Sequence, residues 1–178
     1  MDANPSTWSE HTVGAPATDA DGDAYRALSG NAAKGIAVVT AAHRGWDHAV
    51  TVSDYLSVTY DPPTMLVSLY SLSRIVEAVA GAGRWGLSLL ASDQRSVAER
   101  FGEQGAPLDA LLRQTPHVRR DPDGPALIAG ALCWFELRTV ATHEAATHTL
   151  VVGEVTAMGR AREFGAKPLV RFQSGYLR

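Results

Sequence analysis

Apolar and polar side chains follow a β-like pattern from Ala126 to Ala141 and again from His148 to Ala161, which predicts two long strands. Between them, His143-Glu-Ala-Ala-Thr147 reads as a hairpin or a wide turn. Shorter runs of the same kind occupy Ile36–Thr40, His48–Tyr60, Met65–Tyr70, Trp85–Leu90 and Pro168–Leu177. The run from His48 should stop at Asp61-Pro62-Pro63, because two prolines remove the donors that pairing needs. Helical spacing appears in three places. Asp23 can cap a segment carrying Tyr25, Leu28 and Ala32; Ser73 can cap one with Ile75, Val76 and Val79, closed by Gly81 and Gly83. Asp93 to Phe101 gives a third helix that packs through Val97 and Phe101, and residues 102–125, rich in glycine and proline, read as irregular. About seven strands with so few helices leave no crossovers for a parallel sheet, so the expected fold is mainly β, an antiparallel barrel with short helices.

Residues 1–22 change the picture at one end. Trp8 and Val13 are their only sizeable apolar side chains, too little to repay ordering entropy, so a flexible arm is expected ahead of a domain over 23–178. With 178 residues, 46% hydrophobic and 20% charged, the chain can bury roughly 70% of its unfolded surface without staples. A net charge of -3 offers no basic field for nucleic acid. No apolar run approaches the length of about 20 residues that a membrane span needs, and no signal-like segment opens the chain, so a cytoplasmic protein is expected. Cys133 is the only cysteine and sits in an apolar strand, which argues for a buried, inert thiol and against a cysteine-built metal site.

The polar positions that remain point to binding more than to acid–base chemistry. Thr51, Ser53, Tyr55 and Ser57 alternate, so in one strand they would share a face. That face is either a solvated edge or a wall of neutral hydrogen-bonding groups along a planar heterocycle. Ser68, Ser71, Ser73 and Arg74 lead from a strand into a helix start, which suits either a phosphate or a plain capped helix with a solvated arginine. There is no glycine-rich phosphate loop and no G-x-S-x-G, so a Rossmann domain and a serine hydrolase are both disfavoured. His143 and His148 flank Glu144 at a spacing that fits no common zinc site, and no metal is expected.

Taken in order, these stretches resemble the flavin reductase family, the reductase components of two-component flavin monooxygenases. Gly35-Ile-Ala-Val-Val-Thr40 is similar to the family's opening strand, and His48-Ala-Val-Thr-Val-Ser-Asp-Tyr-Leu-Ser57 with Val58-Thr-Tyr-Asp-Pro-Pro63 to its flavin-binding strand and corner. Ser73-Arg74, Leu87-Ser-Leu-Leu90, Asp93-Gln94, Ala98-Glu-Arg-Phe101, His148-Thr-Leu-Val-Val-Gly-Glu-Val155, Pro168-Leu-Val-Arg-Phe172 and Tyr176 complete the series. The resemblance implies a Greek-key split barrel of the FMN-binding type and a homodimer. It also implies reduction of FAD or FMN by NADH or NADPH, with the reduced flavin passed to a separate flavin-dependent monooxygenase. Of the 16 basic residues all but Lys34 and Lys167 are arginine, a bias of GC-rich genomes, for which a role in natural-product biosynthesis is plausible.

Carried over by motif, the flavin ring is expected along Thr51, Val52, Ser53, Asp54, Tyr55, Leu56 and Ser57, with Ser88 among the flavin contacts. The phosphate region is expected at Ser68, Ser71, Ser73 and Arg74. His148 falls on the family's histidine beside the nicotinamide, as the catalytic candidate, and Tyr176 on a C-terminal aromatic nearby; the alternative for His148 is a structural histidine. This chain departs from the pattern at four points. Ala146-Thr147-His148 replaces a common Gly-Asp-His, Asp54 stands where a small neutral residue is usual, Lys34 replaces a threonine and can offset Asp54, and Arg171 stands for an aromatic. Competing functions are a flavoprotein oxidase of the same barrel that keeps its flavin, and a non-catalytic flavin carrier.

Overall fold

The computed structural model describes residues 22–102 and 108–177. The arm expected over 1–22 lies outside them, except Gly22, which opens helix α1 (Gly22–Ser29). Twelve strands follow: β1 (Lys34–Gly35), β2 (Ala37–His43), β3 (Trp46–Val52), β4 (Tyr55–Tyr60), β5 (Pro63–Tyr70), β6 (Arg84–Leu89), β7 (His117–Val118), β8 (Leu127–Ile128), β9 (Cys133–Ala145), β10 (His148–Arg160), β11 (Val170–Phe172) and β12 (Gly175–Tyr176). Three further helices are α2 (Arg74–Ala82), α3 (Arg95–Gly102) and α4 (Leu108–Arg113).

Seven strands form one antiparallel sheet in the order β3-β2-β6-β9-β10-β5-β4, as the sequence predicts in class. Its two edge strands are consecutive in the chain and joined only by Ser53 and Asp54, so the sheet must curl until its edges meet there. The expected single run from His48 to Tyr60 is therefore two strands at opposite edges. A hydrophobic alternation cannot show this break, because both halves keep the same period. Pro63 does not end pairing either: it opens β5 opposite Tyr60, since a first strand residue on an edge hairpin needs no donor.

Alternation decides what lies inside. Ala37, Val39, Ala41, Val52, Val67, Leu69, Trp85, Leu87, Leu137 and Val151 fill the barrel, and α2 closes one end with Ile75, Ala78 and Val79. Full burial of each larger aliphatic side chain contributes about 1.5–3 kcal/mol. The opposite parity, Ile36, Val38 and Ala49, packs outward under α3 and α4 against Ala98, Phe101 and Leu112. Helix α2 stops at Gly83, whose φ of 64° is left-handed and whose N–H donates to Val79 O at 3.2 Å. Gly81, expected to share that role, lies within the helix.

Five other expectations shift. The run from Ala126 to Ala141 is not one strand: Leu127–Ile128 pair with β7 in a separate sheet, and β9 begins at Cys133 and runs on to Ala145, which leaves only Ala146 and Thr147 between it and β10. Asp23 lies in the first turn of α1 instead of capping it, and Ala32 lies beyond its end. Residues 102–125 are not wholly irregular, since they hold α4 and β7. The last expected strand is a hairpin, β11–β12, with Gln173 and Ser174 at positive φ between its arms. Ser88, expected among the flavin contacts, is fully buried, and its Oγ accepts the Ile128 N–H at 3.0 Å, so its hydroxyl ties β6 to β8. Ser88→Ala should strand that buried N–H and lower stability by about 1–3 kcal/mol, read as a lower melting temperature. The KM for flavin should not move; a raised KM with unchanged melting would restore Ser88 to the site.

Candidate functional site

The seam at Ser53–Asp54 disperses the four alternating polar residues instead of lining them up. Thr51 faces α3, and its Oγ1 donates to Ala98 O at 2.7 Å. Ser53 Oγ donates to Asp54 Oδ2 at 3.2 Å, and Ser57 stands exposed on β4 opposite Met65. Tyr55 is half-buried against β1: a Cβ built on Gly35 would lie 2.5 Å from its hydroxyl, so a larger residue there would displace the phenol. Burial, with Cys133 nearby, raises the Tyr55 pKa and keeps that phenol neutral. Val52 is buried and can offer a ligand only its backbone, whereas Leu56 is 52% exposed.

Across the seam the backbone is still joined. The Ser68 N–H donates to Asp54 O at 2.8 Å, which carries the β4–β5 ladder one residue past Tyr55. The Asp54 carboxylate is held by Lys34 Nζ at 2.5 Å, so the two unusual charges neutralise one another as their sequence positions foreshadow. Both are partly exposed, which makes the pair worth little in stability; its effect is on local charge.

One β5–β10 rung carries the histidine. His148 pairs with Tyr70, and their rings meet edge to face with centroids 5.9 Å apart. The Ser71 N–H donates to Thr147 O at 3.0 Å, and Ser71 Oγ lies 3.0 Å from Thr149 Oγ1. The Thr147 hydroxyl meets His148 Nδ1 at 3.0 Å, and among the described residues no carboxylate pairs with this ring. The ring's side-chain partner is thus a hydroxyl.

Ser73 is the N-cap residue of α2, but its Oγ turns back to Tyr70 O at 2.5 Å and makes no cap bond. The first turn of α2 thus keeps N–H groups that no side chain covers, and Arg74 stands exposed beside them without an ion pair among the described residues. His48, on the inner face of β3, has its pKa lowered first by burial and then by His43 and Arg74, against Asp47 and Glu77. A neutral His48 leaves Arg74 the local cation.

The structure therefore arranges the sequence candidates in three groups: Ser53, Asp54, Tyr55 and Ser68 with Lys34 at the seam; Ser71, Ser73 and Arg74 with His148 at the β5–α2 corner; and Thr51 with Tyr176 at a cavity of about 450 Å³. That cavity is lined by Thr51, Ala98, Glu99, Gly102, Arg171 and Tyr176, and Arg95 lies over the Tyr176 ring at 5.3 Å. Tyr70, Thr149, His48 and Glu99 were not singled out by the sequence. Tyr70 follows Ser68 by two residues, a period-two signal that could have found it; Glu99 becomes visible only when α3 docks. Cys133 is half-buried, and burial raises its pKa, so it remains a thiol. Among the described residues no cluster of three or more His, Cys, Asp or Glu could hold a metal ion, and none of their helices is long and apolar enough to cross a membrane.

Comparison with known proteins bears on this arrangement. Residues 29–178 match the family described as "Flavin reductase like domain". The chain is 32% identical over 164 residues to the NADH-dependent flavin reductase StyB of Pseudomonas fluorescens, covering 90% of this chain and 91% of that one. It is 30% identical to the NADH-dependent FMN reductase AsuE2 of Streptomyces nodosus subsp. asukaensis, over 85% of this chain and 82% of the relative. Among solved structures it superposes with a TM-score of 0.81 on BorF, the flavin reductase component of a bacterial two-component tryptophan halogenase, at 28% identity, covering 88% and 97% of the two chains. An antiparallel barrel of this sheet order and a sequence match over nearly the whole described chain lead to one conclusion: the chain belongs to the flavin reductase-like family.

Proposed function

We propose that this chain is an NAD(P)H-dependent flavin reductase that reduces free FAD or FMN and releases the product to a separate flavin-dependent monooxygenase, acting in the cytoplasm as a homodimer. The observation that carries the chemistry is the histidine at the β5–β10 rung, tied to a hydroxyl and to an aromatic ring and to no acid. Flavin reduction moves a hydride from nicotinamide C4 to flavin N5, and such a transfer asks the protein for positioning, not for a strong acid or base. Neutral groups at the seam, with Asp54 compensated by Lys34, suit the ring of a flavin that gains negative charge on reduction. The uncovered first turn of α2 and Arg74 suit its phosphate. His148 would then orient the nicotinamide by one hydrogen bond.

The dimer reading rests on the outer face of β4 and β5. Leu56 and Tyr70 stand exposed there, with Val58 exposed at the bulge of β4 and Tyr60 at its end, on and beside an edge strand that borders the seam. A second copy placed isologously would cover them and wall the seam.

Purified protein mixed with NADH or NADPH and excess FAD or FMN should bleach the flavin absorbance without air and consume reduced nicotinamide in its presence. Flavin retained at one per chain through gel filtration, with no turnover of added flavin, would instead mark the flavoprotein oxidase. Light scattering should return twice the chain mass of 19.0 kDa, and a fully active monomer would overturn the dimer. The two candidate contacts should separate in kinetics. His148→Ala should raise the KM for nicotinamide and slow flavin reduction about tenfold, about 1.4 kcal/mol in the barrier. Arg74→Ala should weaken flavin binding about tenfold or more, leaving the hydride step in the saturated complex nearly unchanged. Reversed effects would exchange the two assignments.

A further inference from the structure

We propose that the Lys34–Asp54 ion pair sets how tightly the seam holds reduced flavin relative to oxidised flavin, and so governs release of the reduced product. This rests on the reductase function proposed above and gives a task to two charges by which this chain departs from its family's pattern. Register builds the pair. Lys34 and Gly35 form β1, and each meets a residue that the closing barrel brings opposite it. Lys34 Nζ donates to Asp54 Oδ1 at 2.5 Å, and Gly35 leaves space for the Tyr55 hydroxyl. Asp54 is held from two further sides: its Oδ2 accepts the Ser53 hydroxyl at 3.2 Å, and its backbone O accepts the Ser68 N–H at 2.8 Å. The carboxylate is thus fixed in the short joint between β3 and β4, where the flavin ring is expected.

Stability does not account for the pair. Its side chains are 36% and 55% exposed, so it contributes little to folding. Local charge is what it changes. A hydride brings two electrons and one proton to a neutral ring, so the ring leaves the transfer as an anion unless a second proton follows. Beside a lone cation that anion would be retained, and beside a lone carboxylate it would be repelled. Beside a matched pair the two forms of the ring meet nearly the same field. The cation alone would be the worse case for a protein that must let its product go. Arg171 stands opposite Lys34 across the β1–β11 ladder, is exposed, and has no ion pair among the described residues. Without Asp54, Lys34 and Arg171 would face one another as unmatched like charges beside the seam.

Titration of the full-length chain without air, with oxidised and with dithionite-reduced FMN, gives the two dissociation constants. The potential of the bound flavin gives their ratio independently. In Asp54→Asn, reduced FMN should gain about tenfold in affinity over oxidised FMN, and the potential should rise by about 30 mV, the two-electron equivalent of tenfold. Release of reduced FMN from this variant, followed by stopped flow, should slow about tenfold. Lys34→Met should move the ratio and the potential the opposite way, and Lys34→Arg should keep the parent ratio. The double variant Lys34→Met/Asp54→Asn has the parent's net charge and should return toward its ratio. Added salt should shrink both shifts, because the charges are partly exposed. Ratios unchanged in the single variants, or shifted in the same direction, overturn the proposal and leave the pair a clasp between β1 and the barrel, read only in the melting temperature. If one single variant does not fold, the sign of the shift in the other decides. Failure of the parent chain to bind either form of FMN or FAD overturns the reductase reading and this inference with it, whereas binding with unaltered ratios overturns the inference alone.

Discussion

Everything distinctive in this molecule follows from one closure constraint: the two edges of its main sheet belong to neighbouring strands, joined by Ser53 and Asp54. Two residues cannot bridge the width of an open seven-stranded sheet, so the sheet has to wrap. Wrapping makes an inside for Trp85, Leu87 and Leu137, and it brings β3 against β5 without pairing them. Where the β3 and β4 edges meet, Ser53 and Asp54 bring short polar side chains to the surface. A bond from Ser68 N–H to Asp54 O is what ties this joint to β5.

The charges around that joint are arranged so that little net field remains there. Asp54 is answered by Lys34, His48 is kept neutral by burial beside Arg74, and His148 leans on a threonine. Tyr55 and Cys133 are both held in their protonated forms by burial. Such a surface suits a flat, hydrogen-bonding ring and a change in that ring's charge. Arg74 and Arg171 are exposed and have no ion pair among the described residues.

The α2 corner shows how local chemistry and tertiary structure divide the work. Ser73 before an apolar stripe is a sound capping signal, and α2 does begin at Arg74. The Ser73 hydroxyl nonetheless bonds Tyr70 O, because the chain arriving from β5 presents that carbonyl first. The helix start is thereby left open, a property that no reading of the cap residue alone would give.

Much of the fold was legible in advance because alternation and turn residues are local. The strands at Ile36–Thr40, Met65–Tyr70 and Trp85–Leu90, the long β9–β10 pair and the order of family-like motifs all rest on neighbouring side chains. The ion pair of Lys34 with Asp54 was legible too, since two unusual charges at matching sites invite one another. What the sequence could not determine depends on residues far apart along the chain. The break after Val52 is silent, because an alternation looks the same on either side of a seam. Ser88 looked available, but its hydroxyl belongs to Ile128, forty positions away. Glu99, Arg171 and Thr51 share a cavity only because α3 docks on β3 while the terminal hairpin pairs back onto Lys34. Periodicity reports which face a side chain takes; the closure of the sheet alone decides what that face meets.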